Sequence, residues 1–280
     1  GQSTNTEYII NFRQPVKADI LVVGGGGAGA YNRGSGGGGG GLIFYENYDL
    51  EARSYIIRIG KGGNLVSNNH GERGENSYFE SLPESIAYGG GGGRLPGQQW
   101  SRTKNKLGNA GDKKVGAGGS GGGNAGIGIV RQGHLGGNYN SLNASGGGGA
   151  GGIGYGDDTG SDNPAYRCNG GIGIDVSKYF GTNVGDEGWF SGGGGGSLHF
   201  DQFNGECAPT SSNGGKGGGG SAGRFRQKRG QDGMPNTGGG GGGGSNINQA
   251  QGGNGGSGVV IIKYYSDNEC HYFTDPFDLY

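Results

Sequence analysis

Residues 87–94 read AYGGGGGR, and the five glycines of this stretch carry no side-chain chemistry at all. Each glycine offers one backbone donor and one backbone acceptor. The fold therefore depends on what these backbone groups bond to. Seven further runs of this kind lie along the chain: Gly24–Gly27, Gly36–Gly41, Gly118–Gly123 (interrupted by Ser120), Gly146–Gly152 (interrupted by Ala150), Gly192–Gly196, Gly217–Gly220 and Gly238–Gly244.

The composition argues both for and against order. The chain has 280 residues, of which 79 are Gly and 7 are Pro, a content typical of disordered, low-complexity segments. Aromatic residues nevertheless make up 10% of the chain, whereas disordered segments contain few of them. Hydrophobic residues are only 29%, and glycine loses more conformational entropy on folding than other residues. We therefore expect backbone hydrogen bonds to supply much of the stability.

Polyproline II geometry explains what uninterrupted glycine runs can build. It has three residues per turn, a rise of about 3.1 Å and no internal hydrogen bonds, so every backbone group points outward. Only Gly fits where such helices approach closely, and a helix with neighbours on all sides needs Gly at all three positions. Runs of five to seven would be about 15–22 Å long at that rise. The sequence thus predicts a bundle of about eight polyglycine II helices, with flexible linkers as the alternative.

One glycine of each run marks the predicted bundle. If Gly91 is packed inside it, Gly91→Val should destabilise the domain. The marker glycines are Gly26, Gly38, Gly91, Gly121, Gly148, Gly194, Gly218 and Gly241.

The segments between the runs are predicted to be strands and loops. Residues 16–23 (VKADILVV) alternate apolar and polar side chains in their first half, as a half-buried strand does. Residues 41–50 and 53–60 predict a hairpin, and 258–265 is the most hydrophobic strand, which we place centrally. No segment has a convincing helical period. We predict an all-β fold with a polyglycine II bundle and little or no α-helix, as one domain over 1–265 and a C-terminal tail over 266–280.

Charge and hydropathy limit the partners. The formal net charge is −1 and the sequence pI is about 6.5, so nothing attracts the chain to nucleic acid in general. No apolar stretch approaches the ~20 residues of a membrane span, and we expect no membrane insertion. Residue 1 is Gly and the single Met is Met234, which indicates a processed chain or part of a longer one. In an oxidising compartment, Cys168 and Cys207 are the candidate disulfide.

The sequence offers no convincing enzymatic motif. Gly24, Gly26 and Gly29 fit G-x-G-x-x-G after a strand, but the following residues, AYNRGSGGGGGG, cannot form the helix that would hold a pyrophosphate. The four His lack metal-binding spacing, and Asp157 and Asp158 fit a solvated acidic turn better than a calcium loop. We expect a non-enzymatic protein with no cofactor and no metal.

Several stretches, in order, resemble a known family. ADILVVGGGGAGA, GGGGGGLI, YIIRIGKGG, GENSYF and GGSGVVIIKYY resemble the glycine-rich domains of phage tail fibres, viruses and bacterial surface proteins. The most specific parts are Gly74-x-x-Ser77-x-Phe79 and the strand Val259–Tyr265. The chain is also similar to the glycine-rich extracellular domain of the anaplastic lymphoma kinase and leukocyte tyrosine kinase receptors. Both resemblances imply polyglycine helices bundled on a β framework.

These observations predict a surface structural or adhesion protein. A rigid scaffold would display loops to a host receptor or a neighbouring subunit, the partner being a protein or a glycan, on a virion or outside the cell. A ligand-binding receptor ectodomain is the alternative. Tyr, Trp and Arg dominate binding hot spots, although exposed or bundle-covering side chains are the simpler interpretation of each candidate. The candidate loop residues are Tyr31, Arg33, Arg94, Trp100, Tyr139, Tyr155 and Tyr166.

Overall fold

The computed structural model describes residues 6–95, 121–123, 128–129, 131–137, 144–156, 168–197, 212–223, 229–245, 250–266 and 269–273. Within these ranges the chain forms ten strands and one four-residue helix, which confirms the predicted all-β class. The elements are β1 (Thr6–Asn11), β2 (Val16–Val23), β3 (Leu42–Leu50), β4 (Ser54–Ile59), β5 (Ser77–Phe79), β6 (Ile86–Ala87), β7 (Ile174–Asp175), α1 (Ser177–Phe180), β8 (Trp189–Phe190), β9 (Val259–Ser266) and β10 (Glu269–Phe273).

The longer strands form two antiparallel sheets with the orders β1-β4-β5-β6 and β10-β9-β2-β3. The predicted central position of β9 is confirmed, since β9 lies between β10 and β2. The predicted hairpin of β3 and β4 is wrong, because β3 pairs with β2 and β4 pairs with β1. Leu50 and Tyr55, on either side of the connection, are both buried in one core, so consecutive strands belong to different sheets that face each other. Strand β10 lies within residues 266–280.

The two sheets enclose an apolar core, and the second sheet is covered on its other face too. Ile20 and Val22 of β2 belong to the same buried cluster as Ile57 and Phe79 of the first sheet. Leu21 and Val23 belong to a second cluster, with Phe180 and Phe190 from α1 and β8. Burial on both faces explains why β2 ends in the unbroken apolar run ILVV.

The glycine-rich segments pack beside the sheets, and residues 24–30 show how they bond. Every third amide donates to the same neighbouring segment, so three neighbours are used in turn. The donor and acceptor pairs are Gly24–Gly41, Gly27–Gly38 and Ala30–Ser35 for the first neighbour, Gly25–Glu75 and Ala28–Glu72 for the second, and Gly26–Gly256 and Gly29–Gly253 for the third.

The carbonyl groups of residues 24–30 bond to three further segments. The carbonyls of Gly25 and Ala28 accept from Gly90 and Gly93, those of Gly27 and Ala30 accept from Gly241 and Gly244, and that of Gly26 accepts from Gly63. One segment therefore has six bonded neighbours. The three-residue repeat is the period of polyproline II geometry, and it supports the interpretation of the runs as polyglycine II helices.

Close approach, rather than unusual dihedral angles, explains the need for glycine in the runs. A Cβ built on Gly27 would lie under 3.0 Å from the carbonyl oxygen of Gly91, a distance that real Cβ atoms essentially never show. Most run glycines lack the positive φ that would itself select glycine; Gly238, with φ of 70°, is one of the few that has it. Side chains are excluded because neighbouring backbones occupy their space.

Four of the marker glycines occupy positions where another backbone segment approaches closely. A Cβ on Gly26, Gly148, Gly194 or Gly241 would lie under 3.0 Å from a carbonyl oxygen of another segment. Gly218 differs, since its φ is 84° and its Cβ would meet the Thr237 side chain. The Gly38 amide donates to the Gly91 carbonyl (2.8 Å), and the Gly121 amide donates to that of His134 (2.9 Å).

The bundle contains more segments than the eight runs that the sequence suggested. Residues 71–75 and 229–233 also join it, with glycine at every third position. Cβ atoms on Gly71 and Gly74 would lie under 3.0 Å from the carbonyls of Ala28 and Gly25, whereas Glu72 between them is exposed. These edge segments need glycine only on the face turned to the bundle, as the collagen rule predicts for one crowded side.

Candidate functional site

The bundle has two different ends. At the proximal end its segments join the sheets: residues 24–30 follow β2, residues 35–41 lead into β3, and residues 89–93 follow β6. Seven residues at about 3.1 Å each carry the chain about 20 Å away from the sheets. The opposite end, which we call the distal end, contains the connection of residues 31–34.

Backbone hydrogen bonds tie many segments together at the distal end. The donor and acceptor pairs are Asn32–Ala250, Gly34–Gly244, Ser35–Arg94, Gly36–Ser145, Ser197–Gly34, Ala144–Ser197, Gly123–Gly36, Gly137–Gly146, Gly146–Tyr155, Gly196–Cys168, Ala222–Ser212, Gly223–Gly243 and Gly230–Gln251. Described residues that are far apart in the sequence, from Asn32 to Gln251, therefore lie together at this one end.

The connection of residues 31–34 is a short turn at the distal end. Asn32 and Arg33 have φ of 37° and 56°, the left-handed region that few residues other than Gly adopt. Tyr31, Asn32 and Arg33 are half-buried. The turn is held on one side by the bond from the Tyr31 amide to the Asn69 carbonyl (3.2 Å). Two of the predicted loop residues, Tyr31 and Arg33, thus lie together at this end.

Residues 65–70 and Leu95 lie beside this turn. The Leu95 amide donates to Nδ1 of His70 (3.0 Å), which fixes the imidazole between two segments. The Gln251 side chain donates to the Ser67 hydroxyl (3.0 Å), and Asn68 has φ of 61°. The described distal surface is therefore rich in amide, hydroxyl and imidazole groups. Such groups can donate and accept hydrogen bonds.

Arg94 has a different environment from the other candidates. It ends the run Gly89–Gly93, but it is buried, with 8% of its surface exposed. Its amide donates to the Ser35 hydroxyl (2.7 Å), and its carbonyl accepts from the Ser35 amide (3.0 Å). Burial also lowers the pKa of its guanidinium to about 10. These backbone bonds hold Arg94 between two segments, and its predicted binding role stays a prediction.

The remaining candidates are distributed as follows. Tyr155 is exposed and lies near the distal end, where its carbonyl accepts from Gly146 (2.9 Å). Trp100, Tyr139 and Tyr166 lie outside the described residues. Cys168 is buried, but Cys207 also lies outside them, so the disulfide stays a prediction. The described residues contain no group of three or more His, Cys, Asp or Glu that could hold a metal.

The sequence suggested Tyr31 as a loop residue but missed residues 65–70. That segment contains no glycine run, and its position depends on bonds to Tyr31, Leu95 and Gln251 from distant parts of the chain. The available signal was the pair Asn68-Asn69, since Asn tolerates positive φ in turns.

The geometry of the bundle agrees with a comparison against known families. The sequence model of a family described as a glycine-rich domain matches residues 3–265. The chain belongs to this glycine-rich domain family. The resemblance inferred from GENSYF and the terminal strand is thereby confirmed at the level of the family.

Two further findings concern the glycine-rich domain. A search of curated proteins found no match to the chain. In the part of the chain that the structure describes, no helix is long and apolar enough to cross a membrane.

Proposed function

We propose that this glycine-rich domain is a non-enzymatic surface structural or adhesion protein, in which a rigid bundle displays binding segments at its distal end. Its place would be a virion fibre, a phage tip or another extracellular assembly. Its partner would be a protein or a glycan on a cell surface, or a neighbouring subunit. The proposal involves neither nucleic acid nor insertion into a membrane.

The observation that carries the proposal is the assembly of described residues from distant parts of the chain at the distal end. The turn of residues 31–34 and residues 65–70, which are distant in sequence, lie together there, joined by the bond from the Tyr31 amide to the Asn69 carbonyl. Because they lie at the end of the bundle away from the sheets, changes in them leave the packed runs intact, which is the arrangement in which a scaffold supports variable binding segments.

The bonding of the bundle supports a rigid display. Residues 24–30 bond to six neighbours, so an interior segment cannot shift without breaking bonds on several sides. Binding that does not require ordering of the scaffold avoids an entropic cost. The distal turn at Tyr31 and Arg33 is fixed to this framework, and both residue types are common in binding hot spots.

A binding experiment with matched variants tests the proposal. The labelled full-length chain is applied to an array of cell-surface glycans and to suspensions of intact bacterial and animal cells. We expect binding to at least one probe, weakened about tenfold or more by Tyr31→Ser combined with Arg33→Asn. Asn at position 33 removes the charge while tolerating the left-handed backbone. Arg13→Asn, between β1 and β2 and far from the distal end, should leave binding unchanged.

Two results would count against the proposal. Absence of binding to every probe would remove the adhesion role. Equal loss of binding in Arg13→Asn and in the distal double variant would show that the distal end is not the binding surface. The receptor-ectodomain alternative predicts instead that a small soluble protein ligand is bound.

A further inference from the structure

A histidine side chain continues the pairing of two bundle segments at the distal end. Residues 71–75 and 89–93 pair through backbone hydrogen bonds at every third residue. The donor and acceptor pairs are Gly74–Gly90 (2.9 Å) and Gly71–Gly93 (3.0 Å). Two residues beyond the second of these pairs, the Leu95 amide donates to Nδ1 of His70 (3.0 Å). The imidazole therefore accepts the next bond along the same two segments.

The bond to Leu95 determines the protonation state of His70. A backbone amide can only donate, so its partner must offer a lone pair. In a neutral imidazole whose Nδ1 accepts, the single proton lies on Nε2. A charged imidazole has a proton on both nitrogens and can accept no hydrogen bond. Protonation of His70 would therefore remove the bond and turn two N–H groups toward each other.

Residues 65–70 have other contacts, which join uncharged groups. The donor and acceptor pairs are Tyr31–Asn69 (3.2 Å), Gln251–Ser67 (3.0 Å) and Leu65–Asn254 (2.8 Å). These bonds attach the segment to the turn of residues 31–34 and to residues 251–254. Loss of the His70 bond should therefore separate Leu95 from the segment while the rest of the distal end keeps its bonds.

Other titratable or charged side chains also occur on the described segments around His70. They are Tyr31 and Arg33 of the turn, Arg94 beside Leu95, and Glu72 and Arg73 on its own segment. The Glu72 carboxylate accepts from the Asn64 side chain (3.1 Å), and the Arg73 guanidinium donates to the Gly89 carbonyl (3.3 Å). Of these residue types, only histidine ordinarily changes its charge between pH 5 and 8. Acidification through this range should therefore act on His70.

We propose that His70 is a pH-sensitive switch, which holds residues 65–70 against Leu95 when it is neutral and releases Leu95 when it is protonated. The native contact excludes the charged imidazole. Its contribution is therefore complete well above the ordinary histidine pKa of about 6.5 and is lost as the pH falls below that value. Acidic surroundings should thus change the distal surface without unfolding the bundle, whether or not this surface binds a partner.

Amide hydrogen exchange of the full chain, followed for individual residues by NMR, tests the switch. The protection factor of the Leu95 amide, corrected for the intrinsic effect of pH, should fall at least about fivefold from about pH 7.5 to about pH 5. That of the Gly74 amide, which donates to a backbone carbonyl, should change less than about twofold. The imidazole ¹⁵N shifts of His70 should show a proton on Nε2 alone at the higher pH.

Three variants separate the imidazole from the rest of the chain. His70→Asn keeps an acceptor on Cγ, where Nδ1 is attached, but does not titrate, so Leu95 should stay protected at both pH values. His70→Phe keeps a ring without an acceptor, and Leu95 should lose protection at both. His134→Asn is the matched control, because His134 is exposed and lies on another segment, so this variant should respond to pH as the wild type does.

Each outcome decides for or against the switch. Equal protection of Leu95 at both pH values in the wild type overturns the proposal, and so does a pH response that persists in His70→Asn. If Asn does not restore the bond, the wild type decides alone. Loss of Leu95 protection and protonation of the His70 imidazole must then have the same midpoint, and different midpoints overturn the proposal. Thermal melting at neutral pH verifies that each variant is folded.

Discussion

The two facing sheets, which we call the β-sandwich, and the glycine bundle are stabilised by different interactions. In the sandwich, Ile20, Ile57 and Phe79 are fully buried, and removal of apolar surface from water stabilises the fold. In the bundle, residues 24–30 bury no side chain larger than a methyl group, yet bond to six neighbouring segments. A chain with 29% hydrophobic residues can fold because only one of its regions needs an apolar core.

Opposite changes in side-chain volume should also destabilise the two regions. The sandwich is sensitive to lost volume, since a cavity costs both transfer free energy and packing contacts. The bundle is sensitive to added volume, since neighbouring backbones already occupy the positions of Cβ atoms. Substitutions in the two regions should therefore have opposite dependence on side-chain size, and the following variants test that difference by urea-induced unfolding.

Phe79→Ala should have the largest effect. Phe79 is 0% exposed and lies in the core between the sheets, where it packs against Tyr55 with ring centroids 5.7 Å apart. We expect the free energy of unfolding to fall by about 3–5 kcal/mol. Ile9→Ala, at a 64% exposed position on β1, should cost less than about 1 kcal/mol. Similar losses for both variants would contradict the assignment of the core.

Gly27→Ala should have the second largest effect. The new Cβ would lie under 3.0 Å from the Gly91 carbonyl, and both segments are held by bonds to further neighbours. We expect a loss of about 2–3 kcal/mol, the upper part of the range for overpacking. Gly152→Ala is the matched control, because its nearest neighbour is the Ile172 side chain at 3.1 Å, which can move.

The control defines how this prediction could fail. Gly152→Ala should change the free energy of unfolding by less than about 0.5 kcal/mol, or raise it slightly by restricting the unfolded chain. If Gly27→Ala is tolerated as well as Gly152→Ala, then residues 24–30 are not packed as the hydrogen bonds indicate.

Part of this contrast could be predicted from the sequence. The alternation in residues 16–19 and the apolar run in 258–265 gave β2 and β9, because local pattern determines whether a segment is a strand. The pairing of β3 could not be predicted in this way. Leu50 and Tyr55 suit a hairpin equally well, and only the position of the second sheet decides that both side chains enter one core.

Prediction of the candidate site from the sequence was limited in the same way, by contacts between distant residues. Tyr31 and Arg33 could be chosen as loop residues because Tyr and Arg are common in binding hot spots and these two lie between glycine runs. The burial of Arg94 could not, since it depends on contacts between distant segments, such as the bond from its amide to Ser35, which is 59 residues away in sequence. The spacing of Gly71 and Gly74 could have indicated an edge segment. Two glycines three residues apart are nevertheless hard to recognise as a signal in a chain with 79 glycines.

Ser77→Ala should have a smaller effect at the junction of the two regions. The buried Ser77 hydroxyl donates to the Val23 carbonyl (2.6 Å) at the end of β2 and accepts from the Gly60 amide (2.9 Å). Loss of one buried hydroxyl that bonds on two sides should cost about 1–2 kcal/mol. Ser257→Ala is the control, because the Ser257 hydroxyl also bonds twice, donating to the Asn236 side chain (3.0 Å) and accepting from the Asn236 amide (2.9 Å), but at an exposed site where water can replace both bonds, so it should cost less than about 0.5 kcal/mol. Equal costs would show that the junction adds nothing to stability.

Glu72→Ala should have the smallest effect and tests the threefold repeat most directly. Glu72 is exposed on an edge segment, and its side chain accepts one hydrogen bond from Asn64 (3.1 Å). We expect a change below about 0.5 kcal/mol. The same substitution at the preceding residue, Gly71→Ala, places a Cβ under 3.0 Å from the Ala28 carbonyl and should cost about 2–3 kcal/mol.

The loss of free energy of unfolding should therefore differ severalfold between positions 71 and 72, although both substitutions introduce alanine. The difference arises because a segment with three residues per turn presents only one of them to the bundle. Equal destabilisation by Glu72→Ala and Gly71→Ala would contradict this explanation. It would show that the direction in which a residue points does not determine where the segment needs glycine. The spacing of glycines could then no longer distinguish edge segments from interior ones.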